Sequence, residues 1–142
     1  GCRVNHVTEA VSALISACRV LGLRKIAFLS PYIAEVSLTL RTVLAQNGLE
    51  IVVFGSFNEG NEAKVARIAG HSIEAASLSL VKGSQADAIF LSCTNLQTLN
   101  VIDDIEAQCG LPVLSSNQVL AWHMSVLAEQ TYFSERIGTL MA

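Results

Sequence analysis

The sequence predicts an α/β domain in which a four-stranded parallel sheet carries helices on both faces. Short apolar runs alternate with stretches of helical periodicity along the chain, the pattern of right-handed βαβ units. Hydrophobic residues make up 51% of the sequence and charged residues only 15%, which suits strands buried on both sides. The 142 residues fit one domain, residues 1–142, with no repeat, low-complexity tract or flexible linker.

Residues 6–22 place Val7, Val11, Leu14, Ile15, Cys18 and Leu21 at helical spacing, and Gly22 is a stop signal. Lys25–Ser30 is a short buried strand, and Pro31 suits the first turn of a helix over 33–47. In that helix Val36, Leu40, Val43 and Leu44 are expected to face inward, and Asn47-Gly48 ends it. Leu49–Phe54 is the second strand, followed by a polar loop from Gly55 to Asn61. A short helix over 62–69 is punctuated by Gly70-His71-Ser72, where Ser72 is placed to cap a second helix reaching Val81.

Ala88–Ser92 is the third strand, and residues 98–109 the next helix. Pro112–Leu114 is the fourth strand; a helix from Gln118 to about Gln130 follows, with Phe133, Ile137 and Leu140 in the tail. A flavodoxin-like strand order, 2-1-3-4, puts the topological switch point between the first and third strands, where open α/β sheets bind ligands. Pro31-Tyr32 then lies beside Cys93-Thr94-Asn95, flanked by the Gly55–Asn61 and Ser115–Asn117 loops.

Cys93 stands out at this edge, because a thiol released by a strand and placed at a helix start has its reactive thiolate favoured. The bland alternative is a small side chain packed under a turn. Tyr32 is a hydrogen-bond donor suited to a developing oxyanion, or simply a helix-start aromatic. Asn95 and Asn117 read as helix caps or as donors to an anion, and the two uses are compatible. A thiol, a phenol, asparagines and hydroxyls without lysine or arginine suit a small carboxylate worked on by acid/base or nucleophilic sulfur.

Other features are quieter. His71 reads as a surface turn residue, His123 as a packing residue after Trp122, and Asp103-Asp104 as a solvated helix face. A net charge of −3 argues against nucleic acid as a partner. The four cysteines form no C-x-x-C pair or metal spacing; Cys2, Cys18 and Cys109 read as packed thiols, and a reducing cytoplasm is the economical location. No apolar run approaches the roughly 18 residues of a membrane span, and no leader pattern is expected. Glycine motifs for nucleotides and the G-x-S-x-G elbow are absent.

Ser30-Pro31-Tyr32, Val65-Ala66-Arg67-Ile68, Ser92-Cys93-Thr94-Asn95-Leu96, and Pro112-Val113 with Ser115-Ser116-Asn117-Gln118 and Trp122 carry a resemblance. In order and spacing they resemble the second half of the maleate isomerase and arylmalonate decarboxylase family. That family lies within the aspartate/glutamate racemase superfamily, and the ectoine-utilisation racemase-like proteins are the most similar flavour. The resemblance implies a cofactor-independent, metal-free isomerase or racemase-type enzyme acting on a small dicarboxylate, in a cleft between two similar halves. By it, Cys93 is the second-half catalytic cysteine and Tyr32 the substrate-binding tyrosine. Thr94 and Asn95 are donors to a carboxylate, Asn117 lines the cleft, and Asn61 or Asn58 supplies a further contact.

Two departures accompany the resemblance. Family members are about twice as long, and neither Cys2 nor Cys18 stands where a first-half cysteine belongs. The expectation is therefore a C-terminal half that works with an N-terminal half domain or another subunit, a homo-oligomer included. Asn95-Leu96 also stands where glutamate racemases carry a histidine, which argues against amino-acid racemisation. Single-cysteine decarboxylation is the alternative enzyme, and a non-catalytic carboxylate-binding or subunit domain the alternative outside enzymology.

Overall fold

The computed structural model describes residues 6–130 and 137–142. Cys2, read as a packed thiol, and the tail residue Phe133 lie outside the described residues. In chain order the elements are α1 (Ala10–Leu21), β1 (Lys25–Ser30), α2 (Ala34–Gln46), β2 (Glu50–Ser56), α3 (Glu62–Val65) and α4 (Gly70–Val81). Then come β3 (Ala88–Leu91), α5 (Ile102–Cys109), β4 (Val113–Ser115), α6 (Ser116–Leu127) and a 3₁₀ turn at Thr139–Met141.

The four strands form one sheet in the order β2-β1-β3-β4, with every pairing parallel, as expected. Each strand is short and apolar, and its alternation divides the core in two. Ile26, Phe28, Ala88, Phe90 and Leu114 pack with Leu14, Ala17 and Trp122 from α1 and α6. Ala27, Leu29, Ile89, Leu91 and Val113 pack on the other face with Ile73, Ile102 and Ile105 from α4 and α5. Phe28 anchors the first layer, its ring centroid 5.5 Å from that of Phe90 and 5.9 Å from that of Phe54. Burying a side chain of this size contributes about 1.5–3 kcal/mol, so the central strands are held from both sides.

Helix boundaries depart from the expectations where side chains override periodicity. Helix α1 begins at Ala10 because the Glu9 carboxylate accepts the amides of Val11 and Ser12, at 2.7 and 2.6 Å. Val7 therefore lies outside the helix, 84% exposed rather than packed. Helix α2 starts at Ala34, so Pro31 forms a bend ahead of it instead of its first turn. Ser37 and Leu44 are its buried positions and Leu40 packs against the core as expected, while Val36 is exposed and Val43 lies at the edge of exposure. Ser37 turns inward because its hydroxyl donates to Ser30 Oγ at 3.0 Å.

Helix α4 begins at Gly70 without a side-chain cap, which places Ser72 inside the helix rather than at its cap. His71 is exposed in the first turn of α4. Helix α6 begins two residues earlier than expected: the Ser115 hydroxyl accepts the Gln118 amide and the Gln118 side chain accepts the Ser115 amide, a capping box. His123 stacks on Trp122 and pairs with the Thr8 hydroxyl at 2.7 Å. Asp103 and Asp104 are exposed, and Asp103 also accepts the Gly138 amide at 2.7 Å.

Candidate active site

The carboxyl ends of β1 and β3 build the site. Ser30 ends β1, and its Oγ accepts the Tyr32 amide at 3.2 Å and the Ser37 hydroxyl, which fixes the bend carrying Tyr32. The carbonyls of this bend are held from the β2 side: Glu59 N–H donates to Pro31 O at 2.8 Å, and the Ser56 hydroxyl donates to Tyr32 O. On β3 the Ser92 amide donates to Leu29 O at 2.8 Å, which carries the ladder one residue beyond the strand. Cys93 is thereby released at the sheet edge, 7% exposed and backed by the apolar layer that includes Leu91 and Leu96.

No helix starts at Cys93, which corrects the expected setting of the thiol. Residues 94–101 form turns, and α5 begins only at Ile102. Asn95 Nδ2 donates to the Glu62 carbonyl at 3.0 Å and Gln97 Nε2 to the Ala66 carbonyl at 3.2 Å, so this segment is tied sideways to α3. A helix dipole is therefore not what acts on the sulfur. Instead the Asn95 amide donates to Cys93 Sγ at 3.2 Å.

Tyr32 Oη lies 3.2 Å from Cys93 Sγ and donates to Glu62 Oε1 at 2.7 Å. Burial, then the hydrogen bonds to Cys93 and Glu62 and the electrostatic effect of these neighbours, hold this phenol above its ordinary range. Tyr32 is thus a neutral hydroxyl at physiological pH. Asn95 Nδ2 also donates to Glu62 Oε2 at 3.0 Å. The Glu62 carboxylate consequently links Tyr32 to Asn95 beside the thiol.

Of the other expected site residues, Thr94 is exposed next to the cysteine, and its carbonyl accepts Asn117 Nδ2 at 2.9 Å. Asn117 reaches it from the first turn of α6 and does not serve as the cap, a role taken by Ser115. Asn61 Oδ1 caps α3, accepting the amides of Ala63 and Lys64. Asn58 is exposed in the left-handed region, with φ of 54°. Tyr32, Cys93, Thr94, Asn95 and Asn117 are thus brought together, while Asn61 and Asn58 sit on the adjoining loop. Sequence reasoning missed Glu62, because its partners Tyr32 and Asn95 are 30 and 33 positions away on either side and no spacing rule connects them.

Ser30, Tyr32, Val36, Ser37, Leu40, Ser92, Cys93 and Thr94 line a recess of about 260 Å³. Its polar groups are hydroxyls, a thiol and backbone, and one wall is apolar. Among the described residues, no cluster of three or more His, Cys, Asp or Glu side chains could hold a metal ion. The geometry suits a small anion held by neutral donors against a sulfur that can exchange a proton or form a bond to carbon.

Comparison with known proteins bears on this arrangement. Residues 5–141 match the arylmalonate decarboxylase family model. The chain is 29% identical over 122 residues to the arylmalonate decarboxylase of Bordetella bronchiseptica, covering 85% of this chain and 51% of that protein. It is 31% identical over 114 residues to a maleate isomerase of Geobacillus stearothermophilus, covering 78% of this chain and 44% of that protein. In fold it is similar to a mutant of the Nocardia farcinica maleate cis-trans isomerase with a covalently bound succinylcysteine intermediate. There the TM-score is 0.83 at 21% identity, over 93% of this chain and 54% of the other. The chain spans about half the length of the curated relatives it matches.

Proposed function

The chain belongs to the arylmalonate decarboxylase family, and from that membership we propose that it supplies the reacting cysteine of a cofactor-independent, maleate isomerase-like enzyme acting on a small dicarboxylate. One observation carries the reading. Cys93 Sγ faces a recess at the switch point of a parallel sheet with the Tyr32 hydroxyl and the Asn95 amide both 3.2 Å away. Thr94, Asn95 and Tyr32 offer neutral donors to a substrate carboxylate, Asn117 holds the loop that carries them, and Asn61 lies on the adjoining rim.

In the isomerase reaction a cysteine thiolate supplied by the other half adds to one alkene carbon. A C–S bond forms while the π electron pair takes up the Cys93 S–H proton at the neighbouring carbon. Rotation about the resulting single bond, return of that proton to the Cys93 sulfur and expulsion of the other thiolate then give the trans alkene. The succinylcysteine in the Nocardia farcinica mutant, formed where a second cysteine has been replaced by serine, is an adduct of this kind. The remaining walls of the cleft come from an N-terminal half domain or another subunit, in keeping with relatives twice as long.

Single-cysteine decarboxylation is the second reading, favoured by the Bordetella bronchiseptica relative. There the C–C bond to one carboxylate breaks, its electron pair stays on the α-carbon as carbon dioxide leaves, and the Cys93 S–H protonates that carbon. The resulting thiolate recovers its proton from water. Cys93→Ser in the full-length protein tests both readings with maleate and an arylmalonate as substrates. Turnover is expected to fall by roughly 10²–10⁴ or more; turnover unchanged in the variant rules out both.

A further inference from the structure

The site contains more hydrogen-bond acceptors than protons, and the count decides where each proton sits. A tyrosine hydroxyl has one proton to give, whereas an ionised carboxylate can only accept. Tyr32 Oη makes its shorter contact, 2.7 Å, with Glu62 Oε1, a charge-assisted bond and the stronger of its two. The tyrosine proton therefore lies on the Glu62 side. The 3.2 Å contact between Tyr32 Oη and Cys93 Sγ is left for the cysteine S–H to make, with the phenol oxygen accepting.

Glu62 is held for this task from its other side. Asn95 Nδ2 donates to both its carbonyl and Oε2, each at 3.0 Å. Among the described residues no lysine or arginine pairs with it; the one ion pair nearby joins Lys64 to Glu59. Its charge is thus spent on Tyr32 and Asn95.

We propose that Glu62 is a positioning residue that acts through the Tyr32 hydroxyl to hold Cys93 as a protonated, proton-donating thiol in the resting protein. The arrangement stores the proton that a carbanion beside a carboxylate must receive. Its functional weight rests on Cys93 being the reacting thiol, as proposed above, whereas the proton arrangement can be read without turnover.

The experiment is site-resolved iodoacetamide labelling of Cys93 in the full chain at pH 7, by peptide mass spectrometry, with circular dichroism confirming each fold. In Glu62→Gln the new amide can donate to the phenol oxygen, which frees the tyrosine proton for a thiolate. Labelling is expected to quicken roughly five- to tenfold, the worth of about one hydrogen bond. Tyr32→Phe removes the acceptor of the S–H, so it too is expected to quicken labelling. Adding Glu62→Gln to Tyr32→Phe is then expected to change nothing further. Slower labelling in Tyr32→Phe would show that tyrosine donates to sulfur, and would overturn the proposal. So would an unchanged rate in a folded Glu62→Gln, or the same acceleration by Glu62→Gln in both backgrounds, which would leave only the lost charge. Loss of turnover in Cys93→Ser is a separate outcome, so the two readings fail independently.

Discussion

Asp87 and Lys25 bind each other twice across the amino edge of the sheet. The Asp87 amide donates to Lys25 O at 2.6 Å, and Asp87 Oδ2 accepts the Lys25 amide at 2.8 Å. The same oxygen accepts the Arg24 amide at 3.0 Å. The starts of β1 and β3 are thereby pinned in register by one carboxylate, at the end of the sheet opposite the candidate site.

Those two amides, outweighing an opposing effect of desolvation, hold the Asp87 carboxyl below its ordinary range. A depressed folded value means stability that is fully present above the unfolded value near 3.9 and is lost as pH falls through the folded one. Asp87→Ala is expected to cost about 1–2 kcal/mol in urea at pH 7. Its deficit relative to the parent should shrink as the melts are repeated towards pH 2.

Gly138 adopts φ of 62°, and a Cβ there would sit 2.6 Å from Ile102 Cγ2 and 3.0 Å from Glu106 Oε1. Strain and overlap act together, so Gly138→Ala is expected to lower stability by about 2–3 kcal/mol. The drop is read from the urea midpoint, and should come with loosened attachment of the Thr139–Met141 turn to α5 in hydrogen exchange.

Cys18 is fully buried between α1 and the sheet, and that burial pushes its thiol up to about 12. In native protein at pH 8 it should resist iodoacetamide for hours, then react at the rate of a free thiol once urea unfolds the chain. Cys18→Ser, which buries a hydroxyl in place of the thiol, is expected to cost about 1–3 kcal/mol.

Asn117 ties the first turn of α6 to the Thr94 carbonyl beside the thiol. Asn117→Ala should leave stability within about 1 kcal/mol and loosen the Thr94-Asn95 loop. In the full-length protein the expected result is a KM raised about three- to tenfold, with a smaller change in kcat, measured by steady-state kinetics on the proposed dicarboxylate.

Strand identity, strand order and the convergence of Tyr32 with Cys93 were legible from sequence, because buried parallel strands write continuous apolar runs and a switch point follows from their order. Helix starts were less so. Glu9 is not a favoured capping type, yet its carboxylate starts α1. The turns from Thr94 to Val101 carry enough apolar residues to imitate a helix, but Asn95 and Gln97 bond sideways to α3. Val36 obeys helical periodicity and still faces outward, because Ser37 finds a buried partner in Ser30. Glu62 gave no local signal at all, since its role arises only where two distant turns meet.

The all-parallel pairing has a consequence for how the chain reaches this structure. Lys25 pairs with Glu50, Ile26 with Ala88, and Ile89 with Val113, so even the nearest partners are separated by a complete helix. Among the described residues no hairpin is available to nucleate the sheet, and loop-closure entropy opposes folding until an entire crossover has docked. Refolding should therefore be set by the meeting of β1 with β3, making the middle of the sheet the place where substitutions slow folding most.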